Sequence, residues 1–231
     1  MVEFGSAFVR SLAEGSKVAT VFATSRNEHW CRQDVVGVRK VPVDLTNEDS
    51  LKRLATMVKE EKLPLRLVIN CTGLLHDDSL QPERSWRELN AEHMARSFQI
   101  NTIGVGLTIK HIVPLIPRRG RSVFVSLSAR VGSIGDNRLG GWYSYRASKA
   151  AQNKIIKCAA IEATSRKPDL IMATLHPGTV ATDLSEPFRK RISHEVFSAE
   201  DCCSKLSAVI AKLKTADSGG HFAWDGSPIP W

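Results

Sequence analysis

The sequence predicts a doubly wound α/β fold, a parallel sheet covered by helices on both faces. Three observations carry that reading. Short apolar runs rich in β-branched residues alternate with longer segments of helical spacing. The runs are continuously apolar rather than alternating, the pattern of strands buried on both sides. Right-handed crossovers between parallel strands then distribute the helices over the two faces.

The elements follow in chain order. Residues 6–13 form a helix, and residues 17–24 and 36–43 form strands. A helix over 48–62 leads to a strand over 65–70, built around Leu67-Val68-Ile69. One long helix covers 91–115, ahead of a strand over 122–126 that contains Val123-Phe124-Val125. A helix over 143–165, a strand over 170–175, a helix over 199–213 and a strand over 220–224 complete the series. No internal repeat, low-complexity segment or linker interrupts it, so residues 1–231 are expected to form one domain.

Composition narrows the function. With 231 residues, 42% of them hydrophobic, the chain is long enough to bury a substantial core. No apolar stretch is long enough to span a bilayer, so no membrane partner is expected. Met1-Val2-Glu3-Phe4 lacks the order of a secretory signal. The cysteine count of five is odd, and Cys202 and Cys203 are adjacent, which favours a reducing, cytoplasmic compartment. A longer N-terminus would leave an organelle open.

The formal charge is +8 and the isoelectric point about 9.4. The cations are scattered, and the densest groups, Arg118-Arg119-Arg121 and Arg189-Lys190-Arg191, fall in predicted loops. No zinc-finger spacing or aromatic RNA-binding motif accompanies them, so nucleic acid is not an expected partner. The same charge attracts a phosphorylated cofactor.

In such sheets ligands lie beyond the carboxyl ends of the strands. Four strands here end in small or polar residues: Ala23-Thr24-Ser25-Arg26, Asn70-Cys71-Thr72-Gly73, Ser126-Leu127-Ser128 and His176-Pro177-Gly178. Any one of them reads as an ordinary turn; four together point to a binding crevice. Tyr145 and Lys149 are four apart in a helical pattern and share a face. An ammonium beside a phenol is expected to lower its pKa from about 10, making it a usable acid or base. Ser128, ending the preceding strand, can hold a carbonyl oxygen opposite that phenol. It is preferred to Ser126, which sits deeper, and to Ser133.

With these residues in view, the chain resembles the short-chain dehydrogenase/reductase family, most closely its C-factor-like branch. The resemblance rests on residues 128–134 and 140–149, on Leu175-His176-Pro177-Gly178-Thr179-Val180 with Thr182-Asp183-Leu184, and on the tail at 222–226 and 229–231. It implies a Rossmann-like sheet, hydride transfer between NADP(H) or NAD(H) and a small carbonyl or alcohol substrate, and pairing into a homodimer or homotetramer. Carried over by position, the catalytic set is Asn101, Ser128, Tyr145 and Lys149. Tyr145 gives the substrate oxygen its proton, Lys149 lowers the tyrosine pKa and holds the nicotinamide ribose, Ser128 polarises the carbonyl, and Asn101 holds a proton-relaying water. For Asn101 the plain alternative is a satisfied amide at a helix kink.

The resemblance also implies a cofactor set of Gly5, Ser25, Arg26, Asp44, Leu45, Asn70, Cys71, Gly73, Tyr145, Lys149, Pro177, Gly178, Val180 and Thr182. Asp44 matches an acidic residue near the adenine, although a helix cap explains it equally well locally. Cys71 and Thr72 depart from the usual Asn-Asn-Ala-Gly turn. At the end of the second family strand stands Arg26, with no acid before Glu28. A basic residue there pairs with a 2′-phosphate, so NADP(H) is favoured over NAD(H).

One family feature is missing. Only Phe4-Gly5 and the following helix match the end of the glycine-rich turn that binds a pyrophosphate. By family topology the absent first strand is central, and its loss is expected to leave two inner strand edges unpaired. Two accounts follow: a truncated form of an active reductase, or a non-enzymatic signalling or interaction protein on the same fold. Residues 184–196 are expected to cover the site, with Pro187 and Phe188 as apolar wall. The tail Ile229-Pro230-Trp231 is expected to dock onto its own subunit or a neighbour's.

Overall fold

The computed structural model describes residues 2–15, 18–191 and 195–231. Helix α1 (Val2–Ala13) opens the chain, followed by β1 (Val21–Ser25), a short α2 (Glu28–Cys31), β2 (Val38–Pro42), α3 (Glu48–Glu60) and β3 (Leu67–Asn70). Then come α4 (Ala91–Phe98), α5 (Gly104–Ile112), β4 (Ser122–Leu127), α6 (Tyr143–Arg166) and β5 (Leu170–His176). A two-residue pair, β6 (Thr179–Val180) and β7 (Val196–Phe197), precedes α7 (Ala199–Lys212) and β8 (His221–Ala223).

All the ladders are parallel, as the continuous apolar runs require. The main sheet runs β3-β4-β5-β8, and β1-β2 forms a second sheet. β4 and β5 are buried almost throughout and alternate their side chains between two layers. Val123, Val125 and Leu127 face a cluster made with Phe4 and Phe8 of α1 and Leu206 and Ile210 of α7. Phe124 and Met172 face Val105, Ile156 and Ala160, from α5 and α6. Helices thus cover both faces, and the doubly wound architecture stands.

The expected break in the sheet is present. Among the described residues β1 is laddered only to β2, and β3 only to β4. Phe22 of β1 and Val68 of β3 nevertheless pack on one cluster with Leu51, Leu54 and Ile112. The two strands therefore share a layer without sharing hydrogen bonds. Leu67, Val68 and Ile69 are only partly buried, although their residue types suit a fully covered strand.

Several boundaries shift. The first helix begins at Val2 rather than residue 6, so the N-terminal residues are helical. The first strand begins at Val21; Lys17, where it was expected to start, lies outside the described residues. The long helix expected over 91–115 is split. A π-helical segment, Gln99–Ile103, separates α4 from α5, and a 3-10 turn, Val113–Leu115, ends it at Pro114. A π segment of this kind inserts one residue into a helix and often marks a functional position. Gly104 opens α5 because Leu45 lies where a side chain would go, 2.8 Å from an added Cβ.

Candidate active site

The carboxyl ends of β3, β4 and β5 open onto a cavity of about 210 Å³. Gly73, Ser128, Tyr145, Lys149, Pro177, Gly178, Val180 and Thr182, all singled out from the sequence, line it together. Leu75, Arg130, Val131, Trp142, Leu184 and Phe188 add a largely apolar wall.

Tyr145 and Lys149 lie on the first two turns of α6 and are 8% and 2% exposed. Lys149 Nζ sits 5.8 Å from the centre of the Tyr145 ring. It donates to Leu127 O and to Gln152 Oε1, each at 2.9 Å. Burial penalises both charged forms. It pushes the Tyr145 phenol above its ordinary value and brings the Lys149 amine down to about 7. The expectation that the neighbouring ammonium lowers the tyrosine is therefore corrected: burial alone sets the direction, and it raises the phenol.

The three serines separate cleanly. Ser126 Oγ accepts from Asn70 Nδ2 at 3.1 Å and from Gln152 Nε2 at 2.8 Å. Ser133 Oγ accepts from the Asp136 amide. Ser128 is 4% exposed, lines the cavity, and its Oγ has no hydrogen-bond partner among the described residues. A buried hydroxyl without a partner costs on the order of 1–3 kcal/mol and calls for a ligand atom.

Asn101 sits in the π segment, behind the cavity rather than on it. Its Nδ2 donates to Leu74 O at 2.8 Å and Ser148 Oγ at 3.0 Å, and its Oδ1 accepts from Leu74 N at 2.7 Å. Its amide is thus satisfied by protein and ties the turn after β3 to α6.

The residues expected to hold a cofactor divide into two groups. Asn70 Oδ1 accepts from Thr72 N, which shapes the turn that brings Gly73 to the cavity. Gly178 adopts φ +74°, and an added Cβ would meet the Phe197 and Trp224 rings at 2.9 Å. Only glycine fits that loop. Cys202 Sγ donates to Pro177 O at 3.1 Å from behind. Cys71 packs near Gly5, and burial and the neighbouring Cys203 push its thiol up to about 12. All five cysteines are free.

Ser25, Arg26, Asp44 and Leu45 lie outside this cavity. Ser25 Oγ accepts from Asn27 N, and Arg26 is exposed beyond β1. Asp44 Oδ1 accepts from Thr46 N at 2.9 Å and Thr46 Oγ1 at 2.8 Å, so its carboxylate shapes the turn before α3. Burial acts to raise the Asp44 carboxyl, but the Thr46 bonds and the Arg26 charge outweigh it and leave it low. Asp44 thus closes a local turn with Thr46, while the N-cap of α3 is Asn47, and for Leu45 the contact is Gly104.

A nicotinamide nucleotide fits at one end of this arrangement. The unpartnered Ser128 hydroxyl, the Tyr145 phenol, the Lys149 amine and the Gly178 loop form a cradle of that kind. Among the described residues of α1, Phe4 reaches the cavity, with Gly5 beside it.

Sequence reasoning missed Gln152, Trp142 and Glu83. Gln152 follows Lys149 by three and Tyr145 by seven, and that helical spacing was the available signal. Trp142 lines the cavity at a left-handed φ of 51°, its ring 4.9 Å from Phe188. Phe188 forms the wall expected of it, and Ile192, Ser193 and His194 of that loop lie outside the described residues. The tail docks on its own chain: Ile229 N donates to His221 O, Gly135 N donates to Trp231 O, and Trp231 stacks on His221.

A parallel sheet with helices on both faces and a cavity beyond the carboxyl ends of its strands is the doubly wound α/β architecture. Residues 4–193 match the family model for short chain dehydrogenases. The chain belongs to the short-chain dehydrogenase family. It is 33% identical over 189 residues to a 1-hydroxy-2-glutathionyl-2-methyl-3-butene dehydrogenase of Rhodococcus sp. (strain AD45), covering 82% of this chain and 78% of that one. It is 31% identical over 139 residues to the C-signal of Myxococcus xanthus, covering 60% and 78%. Its fold matches an NADPH-bound carbonyl reductase from chicken fatty liver with a TM-score of 0.84, at 23% identity over 99% of this chain and 90% of that one. Among the described residues no helix is long and apolar enough to cross a membrane.

Proposed function

We propose that this chain is an NADP(H)-dependent oxidoreductase that interconverts a small carbonyl compound and its alcohol. The observation that carries the reading is the buried, unpartnered Ser128 hydroxyl, on one cavity with Tyr145 and Lys149. A substrate oxygen bonded to Ser128 and to the Tyr145 hydroxyl satisfies both groups at once. Tyr145 then gives that oxygen its proton in reduction and takes it back in oxidation. NADP(H), when bound, supplies or accepts the hydride. Lys149 holds the ribose edge and, once charged, favours the phenolate left on Tyr145. Asn101 fixes the distance between the Gly73 turn and α6 through its bonds to Leu74 and Ser148.

The preference for NADP(H) over NAD(H) rests on the exposed Arg26 beyond β1 and on the absence of an acid before Glu28. The NADPH carried by the chicken carbonyl reductase supports it by likeness. We read residues 1–231 as one domain, pairing into a homodimer or homotetramer through α4–α5 and α6. Five free thiols are in keeping with a reducing, cytoplasmic setting.

A second reading has its own observation. Among the described residues β1 and β3 each keep one unladdered edge, and a non-enzymatic signalling or interaction protein on this fold is that second reading. Thermal melting with NADPH and with NADH separates the two. A bound nucleotide at roughly a hundred times its Kd adds about 2.7 kcal/mol to the fold. A rise with NADPH and a smaller one with NADH is expected. A cooperative melt that neither nucleotide moves would transfer the case to the second reading.

A further inference from the structure

Helix α6 begins without a capping side chain of its own. Its N-cap position is Trp142, left-handed at φ 51°, which no hydrogen bond from its own side chain stabilises. Gly140 and Gly141 before it are left-handed too, at φ 63° and 64°. Three successive residues of this kind unwind readily unless something outside holds them, and a bulky residue there is strained. Yet the following turn carries Tyr145.

The outside hold is Glu83, distant in sequence and 3% exposed. Its backbone carbonyl accepts from the Trp142 amide. Its Oε2 accepts from the Ser144 amide at 3.2 Å, and its Oε1 accepts from Ser144 Oγ. A helix N-terminus leaves its first amides unpaired and carries partial positive charge, so a buried carboxylate there is doubly favourable. Gly141 also closes on Glu83, with 3.3 Å between an added Cβ and Glu83 O. The Trp142 ring so fixed lies 6.3 Å from the Tyr145 ring and 4.9 Å from Phe188, across the substrate end of the cavity. Trp142 and Ser144 lie just before Tyr145, the residue that must meet the substrate oxygen.

We propose that Glu83 is the positioning residue of the catalytic helix: it caps α6 from another part of the chain and thereby sets Tyr145 against Ser128 and Trp142 against the substrate. The inference rests on the oxidoreductase reading for its kinetic consequence, but not for its structural one. A glutamine in its place keeps the geometry, because its amide oxygen accepts from the Ser144 N–H while its NH₂ donates to Ser144 Oγ. Alanine leaves both unsatisfied.

Two measurements test it. In steady-state reduction with NADPH, Glu83→Ala is expected to lower kcat by about ten- to a hundredfold, the cost of a small misplacement of a reacting group. Its NADPH affinity should remain near wild type, and Glu83→Gln should restore most of kcat. A wild-type kcat in Glu83→Ala, or a Gln variant as poor as Ala, overturns the proposal. In hydrogen exchange, which needs no activity, Glu83→Ala should speed exchange of the Ser144 and Tyr145 amides and leave α7 unchanged. Unaltered exchange at Ser144, or equal acceleration throughout the chain, also overturns it. If wild type turns over no carbonyl yet the exchange result holds, the reductase reading fails and the cap stands.

Discussion

Lys149 Nζ lies 2.9 Å from Gln152 Oε1, one turn further along the same helix. That contact ties the amine into a buried chain, because Gln152 Nε2 reaches Ser126 Oγ and Leu127 O, and Asn70 meets Ser126 from the far side. The lysine and the turn after β3 are therefore held as one unit.

Replacing Gln152 tests that unit. Gln152→Leu removes one acceptor from a buried amine and leaves Ser126 short of a donor, at a cost of about 1–3 kcal/mol for each group affected. The expected result is a lower melting temperature and a kcat down by roughly tenfold, since each 1.36 kcal/mol at the barrier is a factor of ten. Wild-type kinetics in this variant would separate Gln152 from the site.

The charge state of Lys149 gives a pH signature with a definite sign. Burial lowers its pKa from the ordinary 10.5 to about 7 in the folded protein. Below that value both folded and unfolded chains carry the proton, and the fold bears the full cost of a buried ammonium. Between the two values only the unfolded chain binds the proton, so the cost shrinks as pH rises. Lys149→Met removes the cost. Its melting temperature relative to wild type should stand highest near pH 6 and fall by several degrees towards pH 9. A difference that does not change with pH would contradict the assignment.

Gly178 is fixed by conformation and by space. At φ +74°, with the Phe197 and Trp224 rings 2.9 Å from an added Cβ, Gly178→Ala must shift the loop that lines the cavity. Left-handed strain and overpacking each cost about 1–3 kcal/mol. A clear drop in melting temperature and weaker NADPH binding are expected. Unchanged values for both would mean that the loop rearranges freely.

The divided sheet predicts uneven stability. Among the described residues β1 and β2 have ladder partners only in each other, whereas β4 is paired on both sides and buried throughout. Amides of β1 and β2 should exchange through local opening well before those of β4 and β5. Equal protection in native-state hydrogen exchange would show that the small sheet is as firmly held as the large one.

Continuous apolar runs made the parallel strands legible, and a four-residue helical interval the shared face of Tyr145 and Lys149, whereas the broken inner edge followed from the family resemblance. Ser128 over Ser126 was also readable from depth along one strand. What escaped was long-range or context-dependent. Glu83 meets Ser144 from a distant loop, and no spacing rule announces that. The direction of the Tyr145 shift depends on how dry the pocket is, which the interval from Tyr145 to Lys149 does not record. In the sequence Asp44 suits a helix cap as well as the adenine neighbour that the resemblance implies; in the fold Asn47 takes the cap of α3 and Asp44 bonds Thr46. The π segment at Asn101 looks like uninterrupted helix in the sequence, because its residues suit either geometry.

The central claim is that Tyr145 passes a proton at a carbonyl oxygen. The measurement that tests it most directly is the rate of NADPH consumption by wild type and Tyr145→Phe over a panel of small aldehydes and ketones, with NADPH-induced thermal stabilisation recorded for both. The account predicts turnover by wild type, a rate at least about a hundredfold lower for Tyr145→Phe, and the same thermal stabilisation in the two proteins. Equal rates would contradict it.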